Sequence, residues 1–220
     1  MSKLVKHVKN CLKKTDKYES NLNEEILKME GMTGTKTRHL YNNICSMVKA
    51  KYLEIGSWKG SSTCSALYNN KVTCLCIDNW SQFGGPKEEF INNFNKYKGS
   101  NDATFLERNC WDIRTSSIGR FNIYMYDGEH TEESQYNALV KYFTALDDEF
   151  IYIADDWSLE AVQVGTLKAI EYLNLTIEFE YKNSIKDDDW NNGIGIFVLK
   201  KQQPEQVEFK SSNDEESNYI

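Results

Sequence analysis

Apolar residues recur along this chain in two alternating rhythms. Short runs rich in β-branched and aromatic residues, Lys51–Ile55, Val72–Ile77, Ala103–Glu107, Phe121–Tyr126 and Phe150–Ala154, read as strands. Between them, helical spacing predicts helices over Ser61–Tyr68, Lys87–Tyr97, Thr131–Ala145 and Ser158–Leu173, the last with Val164, Leu167, Ile170 and Leu173 on one stripe. An upstream helix over Lys36–Val48 groups Leu40, Ile44, Met47 and Val48. Strand–helix alternation with strands apolar on both sides predicts an α/β fold, a parallel sheet with helices on both faces. Leu175–Lys182 and Gly193–Lys200 have no helix between them and predict an antiparallel pair at the sheet edge. The sum is a single seven-stranded, mostly parallel sheet with an antiparallel last strand.

The two ends depart from this rhythm. Residues 1–22 hold Lys3, Lys6, Lys9, Lys13, Lys14 and Lys17 and read as a basic N-terminal helix, solvated on one face, or as a loose arm. Residues 23–202 carry the alternating pattern. Residues 203–220 turn polar and acidic, with Glu205, Glu208, Asp214, Glu215 and Glu216 against Lys210, and read as a disordered tail. A length of 220 residues fits one domain with a substantial core. With 33 acidic against 26 basic side chains the net charge is −7, which argues against nucleic acid and anionic lipid as partners. No apolar run approaches the ~20 residues of a membrane span. The first residues lack the apolar stretch of a signal peptide, so a cytoplasmic location is expected. The six cysteines show no metal-site spacing; Cys74 and Cys76 share one face of a strand and read as small buried hydrophobes.

Ligands of an open α/β sheet bind beyond the carboxyl ends of its strands, so the chemistry is sought there. After the first strand comes Glu54-Ile-Gly56-Ser-Trp-Lys-Gly60-Ser-Ser62, spaced ExGxxxGxS rather than GxGxxG or a P-loop. Two glycines allow close approach of backbone to ligand, and Ser61 and Ser62 can cap the next helix. Asp78, followed by Asn79, ends the second strand where a carboxylate can accept bonds from ribose hydroxyls. Each feature alone is ordinary turn chemistry; together and in order they favour a nucleoside-bearing cofactor.

With the closing strand pair, these motifs resemble a class I S-adenosylmethionine (SAM)-dependent methyltransferase, over roughly Glu25 to Lys200. The resemblance implies a Rossmann-like sheet in which Gly56 and Gly60 lie against the cofactor, Ser62 holds its methionine carboxylate and Asp78 binds the ribose. Glu54, Ser57 and Asn79 belong to the same implied cofactor set. Asn109-Cys110-Trp111, after the third strand, would line the adenine. Gly31-Met32-Thr33 looks like the segment that closes over the methionine end, with Met32 in contact.

An acidic cluster follows. Tyr126-Asp127-Gly128-Glu129-His130 comes after the fourth strand and Ala154-Asp155-Asp156-Trp157 after the fifth. Neighbouring strands would bring Asp127, Asp155 and Asp156 together, where mutual repulsion calls for a cation. Oxygen-only ligation selects a hard ion, Mg²⁺ or Mn²⁺. The arrangement is similar to the metal-dependent O-methyltransferases of the catechol and macrocin (TylF-like) types. That likeness implies Asp127, Asp155 and Asp156 as ligands, with Asp127 also touching the cofactor. His130 stands where the catechol type carries a lysine base; a histidine titrates near neutral pH, and it is the candidate general base, with Asp127 able to share the role. The bland alternative is that Asp155-Asp156 caps the following helix and His130 is solvated.

Trp157 and the turn Asp187-Asp188-Asp189-Trp190-Asn191-Asn192-Gly193 are candidates for the acceptor side, with Trp157, Asp189 and Trp190 as substrate-binding residues. Carboxylates and flat indoles suit a carbohydrate; a solvated acidic turn reads equally well. The stretch Ile77–Pro86 and the Asp-Gly-Glu-His motif look closer to small sugar-modifying methyltransferases, which implies a sugar or glycan hydroxyl as acceptor. A catechol or phenol is the second choice. A nicotinamide-dependent oxidoreductase and a non-catalytic SAM- or carbohydrate-binding module are the competing classes; the missing GxGxxG and the acid triad count against the first.

Overall fold

The computed structural model describes residues 1–202; the acidic stretch 203–220 lies outside the described residues. The strands are β1 (Ala50–Ile55), β2 (Val72–Asp78), β3 (Asp102–Glu107), β4 (Phe121–Tyr126), β5 (Leu146–Asp155), β6 (Thr176–Asn183) and β7 (Ile194–Lys200). The helices are α1 (Lys3–Thr15), α2 (Glu24–Leu27), α3 (Thr35–Cys45), α4 (Ser61–Leu67), α5 (Lys87–Tyr97), α6 (Glu132–Tyr142) and α7 (Glu160–Tyr172). The seven strands form one sheet in the order β3-β2-β1-β4-β5-β7-β6. All neighbours pair in parallel except β7, which is antiparallel to both β5 and β6. The last strand is therefore inserted, and β6 forms the edge. Chain direction across the sheet reverses between β1 and β4, which opens a crevice at their carboxyl ends.

Alternation along the strands builds two cores. Tyr52, Cys74, Cys76, Ile123, Met125, Ile151, Ile153, Ile196 and Val198 face α1, α3, α4 and α5. Leu53, Ile55, Tyr124, Tyr126, Tyr152, Ala154 and Phe197 face α6 and α7. Cys74 and Cys76 are buried thiols with their sulfurs 3.6 Å apart, as small hydrophobes of one face. The basic N-terminal segment is a helix docked on this core rather than an arm. Ser2 Oγ accepts the Val5 N–H at 3.2 Å, and Leu4, Val5, Val8 and Cys11 are buried while the lysines face water.

Two helical expectations are corrected. The buried face of α7 is Val162, Gly165, Thr166, Ala169 and Ile170, whereas Leu167 is 38% exposed. Small residues win this face because α7 packs tightly on α6: a Cβ on Gly165 would lie 2.3 Å from the Glu132 carbonyl oxygen. Helix α3 ends at Cys45, which leaves Val48 86% exposed beyond the helix. Among the described residues, no helix is long and apolar enough to cross a membrane.

Candidate active site

A cleft of about 680 Å³ lies over the carboxyl ends of β1, β2, β4 and β5. Its wall begins with the β1–α4 loop. Gly56 adopts φ +83°, and a Cβ there would stand 2.0 Å from the Asp127 carbonyl oxygen, so only glycine lets this loop cross the end of β4. Asp78 ties the loop in place: Oδ2 accepts the N–H groups of Ser57 (2.7 Å) and Trp58 (2.9 Å), and Oδ1 accepts that of Trp80 (2.7 Å). Trp80 Nε1 donates to Trp58 O at 2.8 Å, and Trp58 Nε1 donates to Phe83 O at 3.0 Å. Trp58, Trp80 and Phe83 all hold positive φ, as do Asp156 and Asn191, and all five line the cleft. Backbone strain in bulky residues is thus concentrated around one cavity.

Of the residues expected to meet a cofactor, Met32, Gly56, Asp78, Asn79, Asn109, Cys110 and Asp127 line this cleft. Glu54, Ser57, Gly60 and Ser62 do not; they support its wall. Glu54 is fully buried and accepts the hydroxyls of Ser62 (2.9 Å) and Thr63 (2.6 Å). Burial pushes its carboxyl up to about 7. The Ser62 hydroxyl is therefore committed to Glu54, and neither Ser61 nor Ser62 caps α4, whose N-cap is Gly60 with φ +86°. Gly31 packs on Ser61, and the Thr33 and Ser61 hydroxyls share a 2.8 Å bond.

The floor of the cleft is the acidic cluster. Asp127, His130 and Asp156 offer ligand atoms that all lie within 4.8 Å of one another. His130 Nε2 stands 2.8 Å from Asp156 Oδ2 and 3.4 Å from Asp127 Oδ1. Asp155, expected as the third carboxylate of the group, is set apart from this trio, although it also lines the cleft. Its Oδ1 accepts the Asp156 N–H at 3.0 Å and its Oδ2 faces the Tyr41 hydroxyl at 3.5 Å. Burial first, then the charges of Asp127 and Asp156, holds its carboxyl well above the usual range. Burial also raises Asp127. Burial pushes Asp156 up, yet its bond and charge interaction with His130 bring it below its ordinary value. Hydrogen bonds to Asp127 and Asp156 push His130 up to about 10. Sequence alone places His130 near neutrality; between two carboxylates its value lies higher.

The acceptor-side residues also change. Trp157 is 2% exposed, with its ring turned away from the cleft onto Phe197 and over Gly195, where a Cβ would approach to 2.4 Å. Trp190 is 4% exposed and packs near Tyr181. Asp189 accepts the Tyr18 hydroxyl at 2.7 Å and pairs with Lys36 at 3.3 Å. None of the three lines the cleft; their neighbours Asn191 and Asn192 do, with Glu129 and Leu159. Trp58, Phe83 and Arg108 are further wall residues that the strand-end reading passed over. The signal for Asn191 and Asn192 was their place directly before β7, at the cleft end of the sheet.

Residues 53–157 match the family model described as a methyltransferase domain. No curated protein matches the chain. Among solved structures, the O-methyltransferase from Bacillus cereus in complex with SAH is 11% identical with a TM-score of 0.57, over 89% of this chain and 91% of that one. The SAH-bound Podospora anserina methyltransferase PaMTH1 is 11% identical with a TM-score of 0.58, over 92% and 89%. TrmN from Thermus thermophilus is 8% identical with a TM-score of 0.58, over 80% of this chain and 52% of that one. The chain spans about half the length of TrmN and of two further methyltransferases, 50% and 47%. Sheet order, crevice and the match over residues 53–157 agree: the chain has the class I SAM-dependent methyltransferase fold.

Proposed function

We propose that this chain transfers a methyl group from SAM to a hydroxyl of a sugar or glycan, with a divalent cation held at the Asp127–Asp156 pair. The observation that carries the reading is the convergence of Asp127, His130 and Asp156 on the floor of the same cleft whose wall is the Gly56–Asp78 cradle. The SAH complexes among the similar structures support SAM as the methyl source, and the Bacillus cereus enzyme supports oxygen as the acceptor. The donor set fits a hard cation: two carboxylates gathered beside a third, Asp155, whose carboxyl burial and like charge hold well above the usual range. The adjacent imidazole favours Mn²⁺ beside Mg²⁺.

SAM supplies a methyl group already activated on sulfur. A cation at the pair would supply charge that acidifies a bound hydroxyl and offsets the carboxylates that keep His130 charged. The remaining work falls to the chain. Asp78 and Asn79 orient the ribose end, and Asn109 and Cys110 flank the base. Asn191, Asn192 and Glu129 offer donors and acceptors to a polyhydroxylated acceptor, in place of the indoles first expected there. His130 Nε2, freed from its ion pairs, accepts the hydroxyl proton as oxygen approaches the methyl carbon, and Asp127 shares in holding that proton. The cleft walls align oxygen, carbon and sulfur.

A screen with methyl-labelled SAM over sugars, glycans and phenols, with Mn²⁺ or Mg²⁺ and with EDTA, tests this. Label is expected in a sugar acceptor and absent in EDTA. Transfer only to phenols would replace the sugar, and full activity in EDTA would remove the cation.

A further inference from the structure

We infer that the lysine face of α1 is the docking surface for the acidic stretch 203–220 of the same chain. Helical spacing builds this face. Lys3, Lys6, Lys9, Lys13 and Lys14 are exposed on the side of α1 opposite Leu4, Val5, Val8 and Cys11, which are buried. The helix itself holds no acidic residue. Lysines three and four positions apart on one helix face repel. Among the described residues, none of the five forms an ion pair. On a chain of net charge −7, such a basic face calls for an anionic partner.

The chain supplies one. Residues 203–220 hold Glu205, Glu208, Asp214, Glu215 and Glu216 against Lys210. The other acidic run, Asp187–Asp189, is already engaged: Asp189 with Tyr18 and Lys36, and Asp187 with the Asp189 and Trp190 N–H groups. The described chain also ends beside the basic face. The Gln202 side chain donates to Thr176 Oγ1 at the start of β6. About 10 Å further along that strand, Lys9 Nζ stands 5.3 Å from the centre of the Phe179 ring. Helix α1 is about 20 Å long. Residues 203–220 can span up to about 60 Å, enough to run the length of the lysine face. Covalent attachment makes the encounter intramolecular and favours it over the same contact with a separate partner. Each exposed lysine–carboxylate pair is weak alone, so the surface acts through several pairs together.

Carbodiimide cross-linking of the full chain joins a lysine to a carboxylate where the two touch. Mapping the links by mass spectrometry on a mixture of isotope-labelled and unlabelled chain tests the inference. Links from the α1 lysines to Glu205, Glu208, Asp214, Glu215 and Glu216 are expected within one chain, at least about fivefold above those to exposed Lys71 and Lys186. They are expected to fall about tenfold in about 0.5 M salt. In amide NMR spectra, the triple variant Lys6→Gln, Lys9→Gln, Lys13→Gln is expected to shift the resonances of residues 205–216. The triple variant Lys71→Gln, Lys98→Gln, Lys186→Gln, with the same change in net charge, is expected to leave them in place. Links spread evenly over the exposed lysines, links found only between chains, or equal shifts from the two variants overturn the inference. Should the α1 variant fail to fold, the wild-type links decide alone.

Discussion

Two segments of this chain join a run of aspartates, two in one and three in the other, to a tryptophan, and the fold uses them in opposite ways. Asp155-Asp156-Trp157 follows β5; Asp187-Asp188-Asp189-Trp190 joins β6 to β7. In both, the tryptophan is buried packing. The carboxylates differ in what satisfies them. Asp187 Oδ1 accepts the N–H groups of Asp189 (3.0 Å) and Trp190 (2.8 Å), Asp189 holds Tyr18 and Lys36, and the backbone oxygens of Asp188 and Asp189 receive Thr35 and Thr37. This turn is a clasp on the start of α3. Asp156, by contrast, faces Asp127 across His130, with a further side-chain bond from Asn192, and its own backbone is held at φ +53°. Composition does not separate a clasp from an acidic cluster that lines the cleft; side-chain placement does.

The comparison breaks most sharply at Asp156. Asp156→Ala is expected to lower turnover by about 10³-fold, the scale of losing charge stabilisation at a reacting oxygen, with SAM affinity kept. Asp189→Ala should leave turnover within about threefold; a loss as large as that of Asp156→Ala would erase the distinction. His130→Gln is expected to cost about 10²-fold in kcat at unchanged SAM affinity, as removal of a general base does.

The charge state of His130 sharpens the same contrast. Its folded value, about 10, lies above the ordinary 6.5, so its bonds to the aspartates stabilise the fold fully below about 6.5 and are lost as pH rises through about 10. In EDTA, the imidazole proton resonances should titrate near 10; a midpoint between 6 and 7 would show that the trio is not assembled as described. On the clasp side, Trp190→Ala should cost about 3–5 kcal/mol in thermal unfolding through the cavity it leaves. Asp189→Ala should cost about 1 kcal/mol, since its ion pair is partly exposed. A change in acceptor KM without a change in Tm in either variant would return those residues to the binding surface.

Much of this was legible in the sequence. The five parallel strands announced themselves by apolar runs, four of them buried and β3 at the edge, and the crevice followed from reading what stands directly after each. Gly56, Asp78 and the Asp127–His130 and Asp155-Asp156 segments were found in this way. What stayed hidden depended on side-chain direction. Trp157 and Trp190 each neighbour cleft residues, yet turn into the core, where a large apolar surface is more favourable than at a polar rim. Ser62 has the right address but bonds to buried Glu54, and the trio closes on His130 rather than Asp155 because the Asp155 carboxylate is turned toward Tyr41 and the Asp156 N–H. The stripe expected on α7 failed because Gly165 and Ala169 permit a closer approach than the larger Val164 and Leu167 would.

The central claim is that one cleft holds a nucleoside cradle and a separate acidic reaction floor, and calorimetric titration of SAH into the full chain, Asp78→Ala and Asp156→Ala tests it most directly. The account predicts a single site in wild type, affinity weakened about tenfold or more in Asp78→Ala, and a change below about twofold in Asp156→Ala. No binding to wild type, or a larger loss in Asp156→Ala than in Asp78→Ala, would contradict it.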